Sequence, residues 1–126
     1  MALLAVAVLL AAGALLLRPG SPPPLQVTGG SVTVDPTTGR CPRAVFELTA
    51  VLRTNGSEGT VTAAWRGLDG KTGAPVTLRA EEGRRTISTV LTVTVTGARP
   101  LDAAAVLEVR APQVIRLISP SVRYIC

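Results

Sequence analysis

From Leu25 onward, hydrophobic and polar positions alternate with a period of two, carried mainly by Val, Thr, Ile and Leu. That is the pattern of half-buried strands. LQVTGGSVTVDP (25–36) reads as a first strand broken in two by Gly29-Gly30, and PTTGR (36–40) as a turn. AVFELTAVLR (44–53) sets Phe46, Leu48, Ala50 and Leu52 on one face against Glu47, Thr49 and Arg53 on the other. Asn55-Gly56 then supplies hairpin-turn chemistry, because both residues tolerate positive φ. GTVTAAWRGL (59–68) aligns Val61, Ala63 and Trp65, Asp69-Gly70 turns the chain, and PVTLRA (75–80) makes a short strand. After a break at Glu82-Gly83, RTISTVLTVTV (85–95) sends Ile87, Leu91, Val93 and Val95 inward beneath a largely Thr/Ser outer face. Gly97 to Pro100 is a loop, and AAAVLEVR (103–110) sends Ala105, Leu107 and Val109 inward. The final stretch, QVIRLISPSVRYIC, is interrupted at Ser119-Pro120, since proline cannot donate to a strand ladder.

About seven short strands with a turn signal between each pair, and no helical pattern after residue 25, predict a β-sandwich or small barrel. With roughly 100 residues to distribute, the sandwich is favoured. Phe46 and Trp65 are the expected large core residues. Trp65 shares a face with Val61 and Ala63, which makes it core rather than ligand contact.

The first seventeen residues, MALLAVAVLLAAGALLL, have no charge and no polar side chain. As a helix they would span roughly 26 Å, just short of a typical hydrocarbon core. A stretch apolar on every face has nothing to show water, so it predicts a transmembrane helix or signal anchor. No Lys or Arg precedes it, as a cleaved secretory signal would normally require. Ala12-Gly13-Ala14 has the small-x-small form of a cleavage site, but three leucines follow. A retained anchor is the preferred reading, and a small secreted protein with a cleaved signal is the alternative. RPGSPPP (18–24) favours extended polyproline II and forms a stiff spacer. The expected organisation is therefore anchor 1–17, linker 18–24 and sandwich 25–126.

The formal charge of +5 comes from twelve arginines and one lysine, Lys71, against eight acids. The arginines are scattered, with Arg84-Arg85 the one adjacent pair, and the soluble part holds three aromatics, Phe46, Trp65 and Tyr124. Nucleic-acid binders combine a basic stripe with stacking aromatics or groove-reading helices. No nucleic-acid partner is expected, and attraction to anionic lipid or polymer would be loose.

The two cysteines bear on compartment. In an immunoglobulin-like sandwich the first and last strands run side by side and parallel. The end of the last strand, at Cys126, then lies near the turn into the second strand, at Cys41. A Cys41–Cys126 disulfide is therefore predicted, against the alternative of two unrelated thiols. Such a bridge forms in an oxidising compartment and places the domain outside the cytoplasm. Arg18 by charge bias would favour the opposite orientation, but one Arg is a weak signal.

Several of these residues fall into one pattern: Cys41-Pro42, Gly59-x-Val61-x-x-x-Trp65 followed by Asp69-Gly70, and a closing strand ending on cysteine. Together they resemble the small immunoglobulin-like domain of actinobacterial membrane proteins. In that family the domain often follows one transmembrane helix and a proline-rich linker, sometimes at the C-terminus of serine/threonine protein kinases. The resemblance covers residues 25–126, and with the anchor the whole chain. It implies that Cys41 and Cys126 are the family's disulfide pair and Trp65 its core tryptophan. Ala63 departs from it, standing where an aromatic is frequent, and Ala103-Ala104-Ala105 lacks a large residue. The arginine-rich composition is that of GC-rich coding, which fits the same origin.

Nothing in the chain carries catalysis. There is no histidine; two cysteines without clustered carboxylates do not make a metal site; and no cofactor loop is present. Glu81-Glu82 beside Arg84-Arg85 reads as a solvated charged turn, and GKTG around Lys71 lacks the spacing of a phosphate-binding loop. Asn55-Gly56-Ser57 fits a glycosylation sequon but is explained by its turn. The expectation is a non-enzyme without cofactors: a membrane-tethered extracytoplasmic module binding an unknown protein or cell-envelope ligand through strand edges or end loops. A sensory ectodomain associated with a signalling kinase is the other reading.

Overall fold

The structure is a computed structural model that describes residues 23–126. The expected anchor at 1–17, and the linker up to residue 22, lie outside the described residues. Among the described residues no helix is long and apolar enough to cross a membrane.

Ten strands are found among the described residues: β1 (Val27–Asp35), β2 (Thr38–Arg40), β3 (Arg43–Thr54), β4 (Gly59–Arg66), β5 (Val76–Ala80), β6 (Thr86–Thr96), β7 (Leu101–Ala103), β8 (Val106–Ala111), β9 (Ile115–Ile118) and β10 (Val122–Ile125). One sheet has the order β1-β3-β6, a second β5-β4-β8-β9, and a third β2-β10-β7. The last two run into one another, because β7 leads into β8 and β9 into β10. The fold is all-β, and it fits a β-sandwich.

Where strands break, the reason is local. Ser119 N–H donates to the Ala105 carbonyl at 2.9 Å, while Ala105 N–H donates to Ser119 Oγ at 2.9 Å. The serine side chain thus supplies one of the two bonds a regular pair would take from backbone, and Pro120, with no N–H, follows it. Both strands of this hairpin are interrupted at the same level, and Ser119 is buried. Joining β7 to β8, β9 to β10 and β1 to β2 reduces the ten segments to the seven strands expected.

Three expectations are corrected. Gly29-Gly30 does not divide the first strand: β1 runs through both, with irregular pairing between Val27 and Gly29. Gly30 is needed for close approach instead, since a Cβ there would collide with the Val51 carbonyl and lie 2.9 Å from Leu117 Cδ1. The segment 36–40 is not wholly a turn, because Thr38–Arg40 forms β2 and pairs in parallel with β10. Asn55-Gly56 does not close a hairpin, since β3 and β4 belong to different sheets. Gly56 does take a positive φ of 85°, but the turn carries the chain across the core. Asn55 keeps a negative φ, and where the turn leads is set by sheet choice, which is nonlocal.

The core follows the period-two faces. Phe46, Leu48, Ala50 and Leu52 from β3 are 0% exposed, as are Val61 and Ala63 from β4 and Leu107 and Val109 from β8. Val122 and Tyr124 from β10 close the same cluster, and Trp65 is buried in it. Each of the Val, Leu and Phe side chains among them contributes roughly 1.5–3 kcal/mol of transfer free energy. The exception is β6, whose inward residues Ile87, Leu91, Val93 and Val95 are only half-buried.

Candidate functional site

Of the residues singled out from sequence, the two cysteines meet at one end of the core. Cys41 and Cys126 are joined as a disulfide, with Cα atoms 4.9 Å apart and a separation of 85 positions in the chain. Strand pairing delivers them to each other: Arg123, Tyr124 and Ile125 lie opposite Thr38, Gly39 and Arg40 in the parallel ladder. Arg123 N–H donates to the Thr37 carbonyl and Cys41 N–H to the Ile125 carbonyl, both at 2.9 Å. Gly39 makes this approach possible, since a Cβ there would strike Ala44 and come within 2.9 Å of the Phe46 ring. Next to the bridge, buried Tyr124 donates its hydroxyl hydrogen to the Gly97 carbonyl at 2.6 Å. That bond ties the β6–β7 turn to β10, and nothing in the sequence pattern announced it.

Trp65 is 7% exposed, and its indole Nε1 has no hydrogen-bond partner. The ring is therefore held by packing alone. Phe46 belongs to the same cluster and lies under Gly39, near the bridge. Neither side chain reaches a surface where it could grip a ligand.

The candidate polar motifs resolve into structural parts. Asn55 Oδ1 accepts from the N–H groups of Gln26 and Ser57 at 3.1 and 3.3 Å, and its Nδ2 donates to the Pro24 carbonyl at 2.9 Å. The sequon asparagine thus clamps the entering chain. The Lys71 loop is closed by Lys71 N–H donating to Asp69 Oδ1 at 2.9 Å and by Gly67 N–H donating to the Lys71 carbonyl at 3.0 Å. Glu81 and Arg84 make an exposed pair at 3.5 Å. Among the described residues, no group of three or more His, Cys, Asp or Glu side chains could hold a metal ion.

Two surfaces among the described residues are candidates for meeting a partner. On the outer face of the four-stranded sheet, pairing sets Arg79 beside Thr60 and Arg116 beside Glu108, and Arg66 and Arg110 share that face by alternation. Arg66 Nη2 holds Glu108 Oε1 at 2.7 Å. Arginines scattered through the sequence thus share one sheet face, and Arg66 is the one paired with its carboxylate, Glu108. Exposed Ile118 and Val114 lie on β9 and in the loop before it, at 68% and 82% exposure.

The second surface is the free edge of β6. This strand pairs with β3 on one side and with no described strand on the other. A cleft of about 490 Å³ is lined by Leu91 to Thr96 of β6, by Gly67, Leu68 and Asp69 of the β4–β5 turn, and by Leu101. Consecutive β6 residues of both faces contribute, so the cleft follows the strand's edge. Natural sheets blunt such edges with charge, proline or bulges. Residues 86–96, TISTVLTVTVT, contain none of these. The sequence pattern identified the strand and its faces, but edge position depends on sheet order and was not legible.

No protein-family model matches the chain, and no curated protein matches it either.

Proposed function

We propose that this chain is a non-catalytic interaction or structural domain, tethered to a membrane by residues 1–17 and exposed on the extracytoplasmic side. The Cys41–Cys126 bridge carries the reading, because a disulfide of this kind persists in oxidising compartments. The apolar run 1–17 and the proline-rich spacer give the tether and its stand-off. The strand order, with β2 and β10 parallel at the stapled end, supports an immunoglobulin-like assignment of the type found in actinobacterial membrane proteins. Partner binding is assigned to the strand edge at β6, where main-chain groups and an apolar cleft lie together.

The test is made on the full chain in intact cells. A membrane-impermeant thiol reagent should label both cysteines only after external reduction, and non-reducing mass spectrometry should yield a peptide joining Cys41 to Cys126. Two thiols already free, or a chain recovered wholly from the cytoplasm, would overturn the assignment.

A further inference from the structure

We infer that the β6 edge pairs with β6 of a second copy of this chain, antiparallel about a two-fold axis at Leu91. The inference rests on reading that edge as the interaction site. What it adds is the partner, and the sequence of the strand is what selects it.

A two-fold axis at Leu91 sets most residues of β6 opposite one of similar chemistry, the Thr/Val pairs next to the axis being alike in shape only. Thr86 meets Thr96 and Ser88 meets Thr94, hydroxyl against hydroxyl on the outer face. Ile87 meets Val95 and Leu91 meets itself, aliphatic against aliphatic on the inner face. The two remaining pairs, Thr89 with Val93 and Val90 with Thr92, join side chains of nearly equal shape. Hydroxyl pairs are among the favourable cross-strand combinations, and the aliphatic pairs gain by burying apolar surface. An isologous interface requires such self-complementarity, because the same patch serves both subunits. A strand shaped for a different partner has no reason to be a chemical palindrome.

Three further observations agree with it. The strand is uncharged over its whole length, so two copies meet without repulsion. Its inward residues Ile87, Leu91, Val93 and Val95 are half-buried, whereas those of β3 are wholly buried. Finally, the cleft runs along Leu91 to Thr96, the half of the strand that would face Ile87 and Leu91 of the second copy. Pairing turns two three-stranded sheets into one of six strands and sets apolar side chains across each cleft mouth.

The full chain in detergent or nanodiscs, followed by analytical ultracentrifugation, tests this. The wild type should dimerise. V90K/T92K puts like charges opposite each other across the axis and should weaken the dimer at least tenfold, with the disulfide and melting temperature retained. V90K/T92E puts opposite charges in the same places and should dimerise like the wild type. Both positions are on the outer face, so a general weakening of the strand would affect the two variants alike. A wild-type monomer at every concentration, a dimer indifferent to V90K/T92K, or equal loss in both variants would overturn the proposal. If the wild type is monomeric but the edge captures an extended peptide from envelope material, self-pairing fails while the interaction reading stands.

Discussion

At the residue scale, the stapled end concentrates side chains whose removal has separable costs. Tyr124→Phe deletes the bond to the Gly97 carbonyl while keeping the ring, so it should cost about 0.5–1.5 kcal/mol in urea unfolding. Gly39→Ala should cost more, on the order of 1–3 kcal/mol, because its methyl meets Ala44 and the Phe46 ring. Trp65→Ala should cost about 3–5 kcal/mol, with loss of the chain's one tryptophan signal, so circular dichroism is the probe. Trp65→Phe should be far milder, since the indole N–H has no partner to lose. Burial of Trp65 and Phe46 was legible from their place in alternating runs. The Tyr124 bond was not, because Gly97 lies 27 positions away and period two says nothing about what a strand's end will touch.

At the scale of elements, alternation predicted which face of each strand turns inward and failed on which strands become neighbours. Asn55-Gly56 shows the limit. The residues favour a tight turn, yet the chain enters the opposite sheet, since pairing is decided by contacts far along the chain. The two-part final strand was legible because proline has a local consequence, and the matching break at Ala104-Ala105 was imposed by it across the hairpin. Strand β6 gives the measurable contrast. Leu48→Ala on β3 should cost about 2–5 kcal/mol, as Leu48 is wholly buried. Leu91→Ala on the neighbouring strand removes the same atoms from a half-buried site and should cost less than half as much in dilute solution. Equal losses in the two variants would mean that β6 is as well covered as β3.

For the whole molecule, the bridge is the largest single contribution that can be removed cleanly. The chain-entropy treatment assigns about 4.5 kcal/mol to a loop of this size, against net domain stabilities of about 5–15 kcal/mol. Cys126→Ser should therefore lower the unfolding free energy by several kcal/mol, and chemical denaturation with and without reductant checks it. An unchanged midpoint would remove the bridge from the account of stability. The cysteine pairing was legible because it followed from where first and last strands lie, the one long-range fact that the strand count already contained. The same bridge governs how the domain would bear tension. Strands β2 and β10 run parallel, so a pull on the chain before β2 and after β10 loads their hydrogen bonds in shear, all together rather than one by one. Beyond them the load passes through sulfur, and everything from β3 to β9 is shielded from extension. Reduction would release that separation of 85 positions, roughly 290 Å of extended chain. Oxidised, the domain is a short, stiff link; reduced, it becomes a long extensible one.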